Sequence, residues 1–326
     1  MKVVEKIERN QENQDGAIIF SFEYFTPKPG HATVSGFVDT VTAMSRHGPS
    51  FCDITWRPRD PYPALTLELA GRMQAEVGVE TMMHLTCVGM PVDRIDYALD
   101  TARAKGVRNI LALRGDLLPG MDSVGASNGD GFTSALDLVK YIRSKHGDYF
   151  GITVAGYPEA HPSQIPDGSE EATEEGYESD LAYLKQKVDA GADLIITQLF
   201  FDAEVFIKFV KDCRRIGITC PIVPGILPFA SFRSFKFMTE TCKTKVPKEV
   251  RAKVEAARGD DAALAAYGVE LATEICRKIL KETGVKALHF YTMNKEAPAV
   301  GVLRNLGLLG VTQNEKKLEE KVLVGN

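Results

Sequence analysis

Short apolar runs recur along this chain, each closed by turn residues and followed by a stretch whose apolar positions return every three to four residues. The first run, residues 17–25, is rich in Ile and Phe and is stopped by Pro27 and Pro29, which suits a buried strand. An amphipathic stretch over 33–46 predicts the helix that follows it. The couplet then repeats as strand 50–56 with helix 64–77, strand 81–88 with helix 92–105, and strand 109–113 with helix 134–145. Beyond these come strand 151–155 with helix 174–190, strand 194–200 with helix 204–215, strand 221–226 with helix 231–242, and strand 287–291 with helix 296–306. An extra helical segment, 262–282, is expected before the last strand.

Strands that alternate with helices imply a parallel sheet, because parallel neighbours need crossover connections and these are usually helical. Eight couplets in a chain of 326 residues match a closed α/β architecture, the (β/α)8 TIM barrel. An open, doubly wound sheet is the alternative. It usually carries GxGxxG directly after a strand, whereas Gly125, Gly129 and Gly131 have another spacing and sit in a long loop. No linker interrupts the pattern, so one catalytic barrel over 1–310 is expected, followed by a charged tail, 311–326.

Composition narrows the classes of partner. A formal net charge of -5, with no extended Lys/Arg run, leaves nothing to neutralise a phosphodiester backbone, so nucleic acid is not expected as a partner. Runs such as 194–201 fall far short of the roughly 20 residues that span a bilayer. Residues 1–14 lack the apolar core of a secretion signal, so a cytoplasmic location is expected by default. The six cysteines form no CxxC pair and read as free thiols; the histidines have no ligand spacing such as HExxH, so no metal is expected. Self-association stays open.

In such a barrel the chemistry sits where strands end, so the polar residues there are the informative ones. They are Glu23 in FSFEYF, Thr55 in DITW, His84 in MMHLTC, Arg114, Gly115 and Asp116 in ALRGD, Tyr157 and His161 in AGYPEAHP, Gln198 in IITQLFF and Tyr291 in HFYTMN. Each also has a bland reading. His84, beside Met82, Met83 and Leu85, could simply be a hydrogen-bonded core histidine, and Arg114 with Asp116 a salt bridge. Asp180 and Lys187, two helical turns apart, read as one solvated helix face. Glu23 resists such a reading. Between Phe22 and Tyr24, a carboxylate costs several kcal/mol of desolvation unless it is paired or protonated, and a carboxyl protonated near neutrality is what a general acid requires. Gln198 likewise needs amide partners within a wall of Ile and Phe. The loop 117–132 is long enough to flank a cofactor or act as a lid.

Taken together, FSFEYFTPK, DITW, HLTC, ALRGD, VAGYPEAHP, AGADLIITQLFFD, CPIVPGILP and HFYTMNKE resemble the catalytic domain of the methylenetetrahydrofolate reductase family. The likeness runs in family order over residues 17–309, and blocks such as ITCPIVPGI and GDYFGITVAGYP resemble eukaryotic members. It implies a flavoenzyme in which NADPH or NADH reduces a bound FAD, which then reduces 5,10-methylenetetrahydrofolate to 5-methyltetrahydrofolate. By position, Glu23 resembles the family's general acid, which protonates the bridging amine and opens the five-membered ring. Asp116 resembles an aspartate near both flavin and pterin, and Gln198 a glutamine that grips the folate. For FAD the resemblance implies Thr55, His84, Arg114, Gly115, Asp116, Ala135, Tyr157, His161, Asp180 and Lys187, which replaces the helix-face reading of the last two. Tyr291 and Lys295 are implied on the folate side, and Ala192 matches an alanine whose surroundings affect flavin retention.

Two positions depart from the pattern. Ser134 stands where relatives often carry a flavin-contacting tyrosine, and Lys295 stands where arginine is usual, giving a point charge in place of a bidentate fork. Eukaryotic relatives also carry a C-terminal regulatory domain that binds S-adenosylmethionine. The sequence ends before one could begin, and both a longer parent chain and a short natural form are compatible with that. Without a Rossmann fingerprint, nicotinamide and folate are expected to use one pocket in turn, with ping-pong kinetics. Another FAD-dependent barrel oxidoreductase, or a non-catalytic folate-binding barrel, are the competing readings.

Overall fold

The computed structural model describes residues 1–12, 17–28, 33–116 and 131–309. Helix α1 (Val3–Glu12) precedes the first strand. There follow β1 (Ile19–Tyr24), α2 (Val34–Ser45), β2 (Phe51–Ile54), α3 (Tyr62–Arg72), β3 (Thr81–Thr86), α4 (Val92–Ala104), β4 (Asn109–Leu113) and α5 (Ala135–His146). The second half opens with β5 (Gly151–Gly156), α6 (Glu174–Asp189), β6 (Leu194–Thr197), α7 (Ala203–Arg215), β7 (Ile222–Val223) and β8 (Gly225–Ile226). It closes with α8 (Phe232–Cys242), α9 (Lys248–Ala256), α10 (Asp261–Thr283), β9 (Ala287–Tyr291) and α11 (Glu296–Asn305).

Every strand pair is parallel, and neighbours follow chain order, with β1 lying between β2 and β9. The seventh barrel strand, read as continuous from the sequence, is broken at Pro224, which has no N–H to give to a ladder. Its halves divide the work: β7 pairs with β6 and β8 pairs with β9, so the strand closes the barrel. Pro224 still accepts a hydrogen bond from the His289 N–H at 3.0 Å. The eight couplets and the TIM barrel expected from the sequence are therefore present.

Period-two alternation sorts the side chains. Phe20, Phe22 and Tyr24 of β1 join the layer between barrel and helices, as do Cys52, Ile54, Met83, Leu85, Ile110 and Val154. The opposite positions fill the barrel. At its amino-terminal end these are Phe51, Met82, Leu194 and Ala287, and α1 lies against them through Val3 and Ile7, both 1% exposed. Asn109 Oδ1 accepts the Val3 N–H at 2.7 Å. The sequence reading has no helix here, for a physical reason. A ten-residue helix of this polarity is marginal alone, and the barrel floor it covers supplies its stability.

The helical segment expected over 262–282 is α10, and a further helix not expected from the sequence, α9, precedes it. Val250 and Val254 of α9, one turn apart, join Phe229, Phe235, Met238 and Leu264 in a second core that fastens α8, α9 and α10 beside the barrel mouth. Strand β6 stops at Thr197, short of the expected 200; Gln198 lies just beyond it, its N–H held by Gly156 O at 2.8 Å. All six cysteines are free. Among the described residues no helix is long and apolar enough to cross a membrane. The tail 311–326 and nearly all of the loop 117–132 lie outside the described residues.

Candidate active site

The inward positions of four adjacent strands build a polar floor. Register places Glu23 of β1 beside Asp53 of β2 on one side and Tyr291 of β9 on the other, with Ser21 beside His289 one pleat below. His84 of β3 reaches in from the next strand. Its Nε2 lies 3.4 Å from Asp53 Oδ2 and 3.6 Å from Glu23 Oε2. His289 Nε2 lies 3.5 Å from the same Glu23 oxygen, while its Nδ1 meets Ser21 Oγ at 2.8 Å. Glu23 is 8% exposed, and Asp53 and His289 are fully buried. Burial opposes charge on His84, yet the hydrogen bond to Asp53 and the charges of Glu23 and Asp53 outweigh it and move its pKa up. Glu23, Asp53 and His84 each also offer one atom within 4.8 Å of the others, the nearest approach to a metal-ligand set among the described residues. His84 thus hydrogen-bonds Asp53 and stands in ion-pair range of Glu23, so one imidazole lies between the two carboxyl groups.

Above this floor a cavity of about 570 Å³ opens at the carboxyl ends of the strands, lined by Glu23, Thr55, His84, Asp116, Gln198 and Tyr291 among others. Gly115, at φ +86°, turns the chain between Arg114 and Asp116; a Cβ there would lie 2.8 Å from Thr86 Cβ, so only glycine fits. The Tyr291 ring passes over Gly225, and its hydroxyl donates to Thr197 O at 2.6 Å. Thr55 Oγ1 accepts the Thr26 N–H at 3.1 Å. Gln198 Oε1 accepts the Leu199 N–H at 2.8 Å, which leaves its amide N–H groups for the cavity.

Arg114, Tyr157 and His161 also line a second cavity of about 520 Å³, which continues the first outward between α5 and α6 as a trough. Asp180 and Lys187 of α6 face it, as do Ser134 and Ala135 at the start of α5. Lys187 is 4% exposed, so the solvated-face reading fails: it is the inner face of α6. Its Nζ donates to Ala155 O at 2.9 Å, and burial, opposed by Asp180, lowers its pKa to about 8. Burial raises Asp180, against the pull of Lys187. His161 is pushed down to about 4 by burial and by the charges of Arg114 and Lys187. Its Nδ1 accepts the Ser163 N–H at 3.1 Å. A long trough with a buried, under-neutralised lysine, an arginine and a helix N-terminus fits the pyrophosphate of a dinucleotide such as FAD.

Thirteen of the fourteen expected site residues thus come together on this pair of cavities. The exception is Lys295, which borders an adjoining recess with Lys28, Arg57 and Arg233; that recess touches the mouth cavity at Phe25, Arg57 and Phe237. Ser134, the position that departs from the family tyrosine, caps α5: its Oγ accepts the Asp137 N–H at 3.1 Å and donates to Asp137 Oδ2 at 2.7 Å. Sequence reading missed Ser21, Asp53 and His289. A signal existed, since each lies two residues before Glu23, Thr55 or Tyr291 and so shares its face of the strand.

Barrel, buried acid and basic trough define a (β/α)8 protein shaped to hold an elongated anionic ligand beside a second ligand at the strand ends. The family model for methylenetetrahydrofolate reductase matches residues 6–307. A protein of Oryza sativa subsp. japonica named probable methylenetetrahydrofolate reductase (NADH) is 55% identical over 318 residues, which are 98% of this chain and 52% of the rice protein. The 5,10-methylenetetrahydrofolate reductase of Salmonella typhimurium is 30% identical over 306 residues, 93% of this chain and 96% of its own. Among solved structures, an uncharacterized protein from Clostridium thermocellum that binds two copies of 5-methyl-5,6,7,8-tetrahydrofolic acid shares the fold, with a TM-score of 0.58 at 13% identity over 92% of this chain and 97% of that one. The chain belongs to the methylenetetrahydrofolate reductase family. It spans about half the length of the rice relative.

Proposed function

We propose that this chain reduces 5,10-methylenetetrahydrofolate to 5-methyltetrahydrofolate with NADH or NADPH, through FAD held in the trough. The observation that carries the reading is Glu23: a carboxyl at the floor of a ligand-sized cavity, backed by two imidazoles, and adjoining a trough fitted for a dinucleotide. FAD, when bound, supplies the hydride storage that lets donor and folate react in separate turns. Arg114, Lys187 and the α5 N-terminus would hold its pyrophosphate, Asp180 a ribose hydroxyl, and Thr55, His84, Gly115, Ala135, Tyr157 and His161 its remaining length.

Glu23 would give its proton to the bridging nitrogen of the folate, so that the bond from that nitrogen to the methylene carbon breaks and the carbon becomes a hydride acceptor. Gln198 would orient the pterin through its free amide N–H groups, and Asp116 would accept from the pterin's amino edge. Nicotinamide and folate would use this one cavity in turn. Purified protein reconstituted with FAD, reduced anaerobically by NADH and then mixed rapidly with methylenetetrahydrofolate, tests the reading. Reoxidation with formation of methyltetrahydrofolate is expected. Reduction by NADH without folate-dependent reoxidation would replace it with another barrel oxidoreductase.

A further inference from the structure

Both imidazoles of the floor approach one oxygen of Glu23, Oε2, and no described residue hydrogen-bonds Oε1. His289 is the more constrained of the two. Its ring stacks on Phe51 at 6.2 Å with an interplanar angle of 12° and meets the edge of Tyr291 at 5.2 Å and 89°. Below it, Ser21 Oγ lies 2.8 Å from Nδ1, against 3.5 Å from Leu288 O, so the hydroxyl proton goes to Nδ1. A neutral imidazole that accepts at Nδ1 carries its proton on Nε2. That N–H is fully buried, has no hydrogen-bond partner among the described residues, and has Glu23 Oε2 at 3.5 Å.

We propose that His289, set by Ser21, is a positioning residue for the acid step: its Nε2–H holds Glu23 Oε2 at the back, so that the transferable proton sits on Oε1 toward the cavity. When Oε1–H passes its proton to the folate nitrogen, the carboxylate left behind already faces this donor, and His84 beside it. A buried carboxylate formed without such a donor would be costly, so the donor favours the transfer. The inference rests on the reductase reading of the site.

The test compares His289→Asn, His289→Gln and Ser21→Ala in the FAD-reconstituted protein, measuring flavin reduction by NADH and flavin reoxidation by methylenetetrahydrofolate separately. Glutamine can place an N–H near the position of Nε2, whereas asparagine reaches only that of Nδ1. His289→Asn should slow the folate half-reaction about 10–100-fold at unchanged half-saturating folate, the scale of one hydrogen bond to a charged group, and leave the NADH half-reaction near normal. His289→Gln should recover most of that loss, and Ser21→Ala should cost less, about 3–10-fold, since only the tautomer is loosened. Equal loss of both half-reactions in the Asn and Gln variants would make His289 merely structural. A normal folate rate in His289→Asn would also overturn the inference. If His289→Asn fails to fold, Ser21→Ala decides: an unchanged folate rate refutes the proposal. Failure of the wild-type protein to reoxidise with folate would instead strike the reductase reading itself.

Discussion

Two regions of one cavity system treat charge in opposite ways. On the floor, the carboxyl groups of Glu23 and Asp53 stand within 3.6 Å of the imidazoles of His84 and His289, so buried polar groups of opposite character match one another inside the protein. In the trough, Arg114, His161 and Lys187 converge with Asp180 as the counter-charge to Lys187, and burial drives Lys187 to about 8 and His161 to about 4. The floor sets its acids against its own imidazoles, although Asp53 Oδ1 and His289 Nε2 have no hydrogen-bond partner among the described residues. The trough depends on a ligand, because a buried cation loses solvation that Asp180 replaces only in part, and a ligand must bring the remaining negative charge.

The comparison is broken most directly at Glu23. Glu23→Gln keeps the shape and removes the proton, so flavin reduction by NADH should persist while folate-dependent reoxidation falls by about 10²–10⁴-fold, the usual range for general acid catalysis. Stopped-flow traces of each half-reaction separate the two; reoxidation near the wild-type rate would leave Glu23 a structural carboxylate. Lys187→Ala should act on the trough alone. Removal of a charged hydrogen-bonding partner costs about 1.5–3 kcal/mol, so FAD should dissociate on dilution about 10–100-fold more readily with little change in either half-reaction of the loaded protein. Asp180→Ala should weaken retention in the same direction, as read by flavin fluorescence; full occupancy after extensive dilution would remove both residues from the site.

A smaller effect is expected at Gln198. Gln198→Glu replaces an amide whose N–H groups face the cavity with an acceptor, and the half-saturating folate concentration should rise about tenfold while nicotinamide oxidation with an artificial acceptor stays normal. Equal damage to both activities would argue for a structural glutamine. The smallest effect is a pH dependence. Lys187 in the free protein loses its proton near pH 8, and a bound pyrophosphate would restore its ordinary, higher pKa, so binding takes up a proton above pH 8. FAD affinity should therefore be flat below that value and fall as pH rises, by about fourfold at pH 8.5. His161, pushed down to about 4, stays neutral throughout this window. A titration of FAD fluorescence between pH 7 and 8.5 that shows no decline would mean that Lys187 does not meet the pyrophosphate.

The strand-end residues were legible because each is fixed by its place in a local run. Glu23, Thr55, His84 and Gln198 stand where an apolar strand stops, and the barrel rule converts that position into a location. Asp53 and His289 were not picked out, although they lie on the same faces, because a single polar residue within a strand says nothing about its partner. The partner of Asp53 is His84, 31 residues away, and the partner of His289 is Ser21, 268 residues away.

What the sequence alone determined is the succession of eight couplets and the barrel they imply, since strand and helix periods are properties of consecutive residues. The tertiary structure decided the rest. Helix α1 exists because the barrel floor needs covering, and α9 because Val250 and Val254 find a second core. The seventh strand closes the barrel in two halves because Pro224 can accept but not donate. Asp180 and Lys187 show the same limit most sharply: spacing can say that they share a face of α6, but only the packing of α6 against the trough decides that this face is buried. Burial is a property of what lies opposite, and closure of the barrel brings those opposite groups from distant parts of the chain.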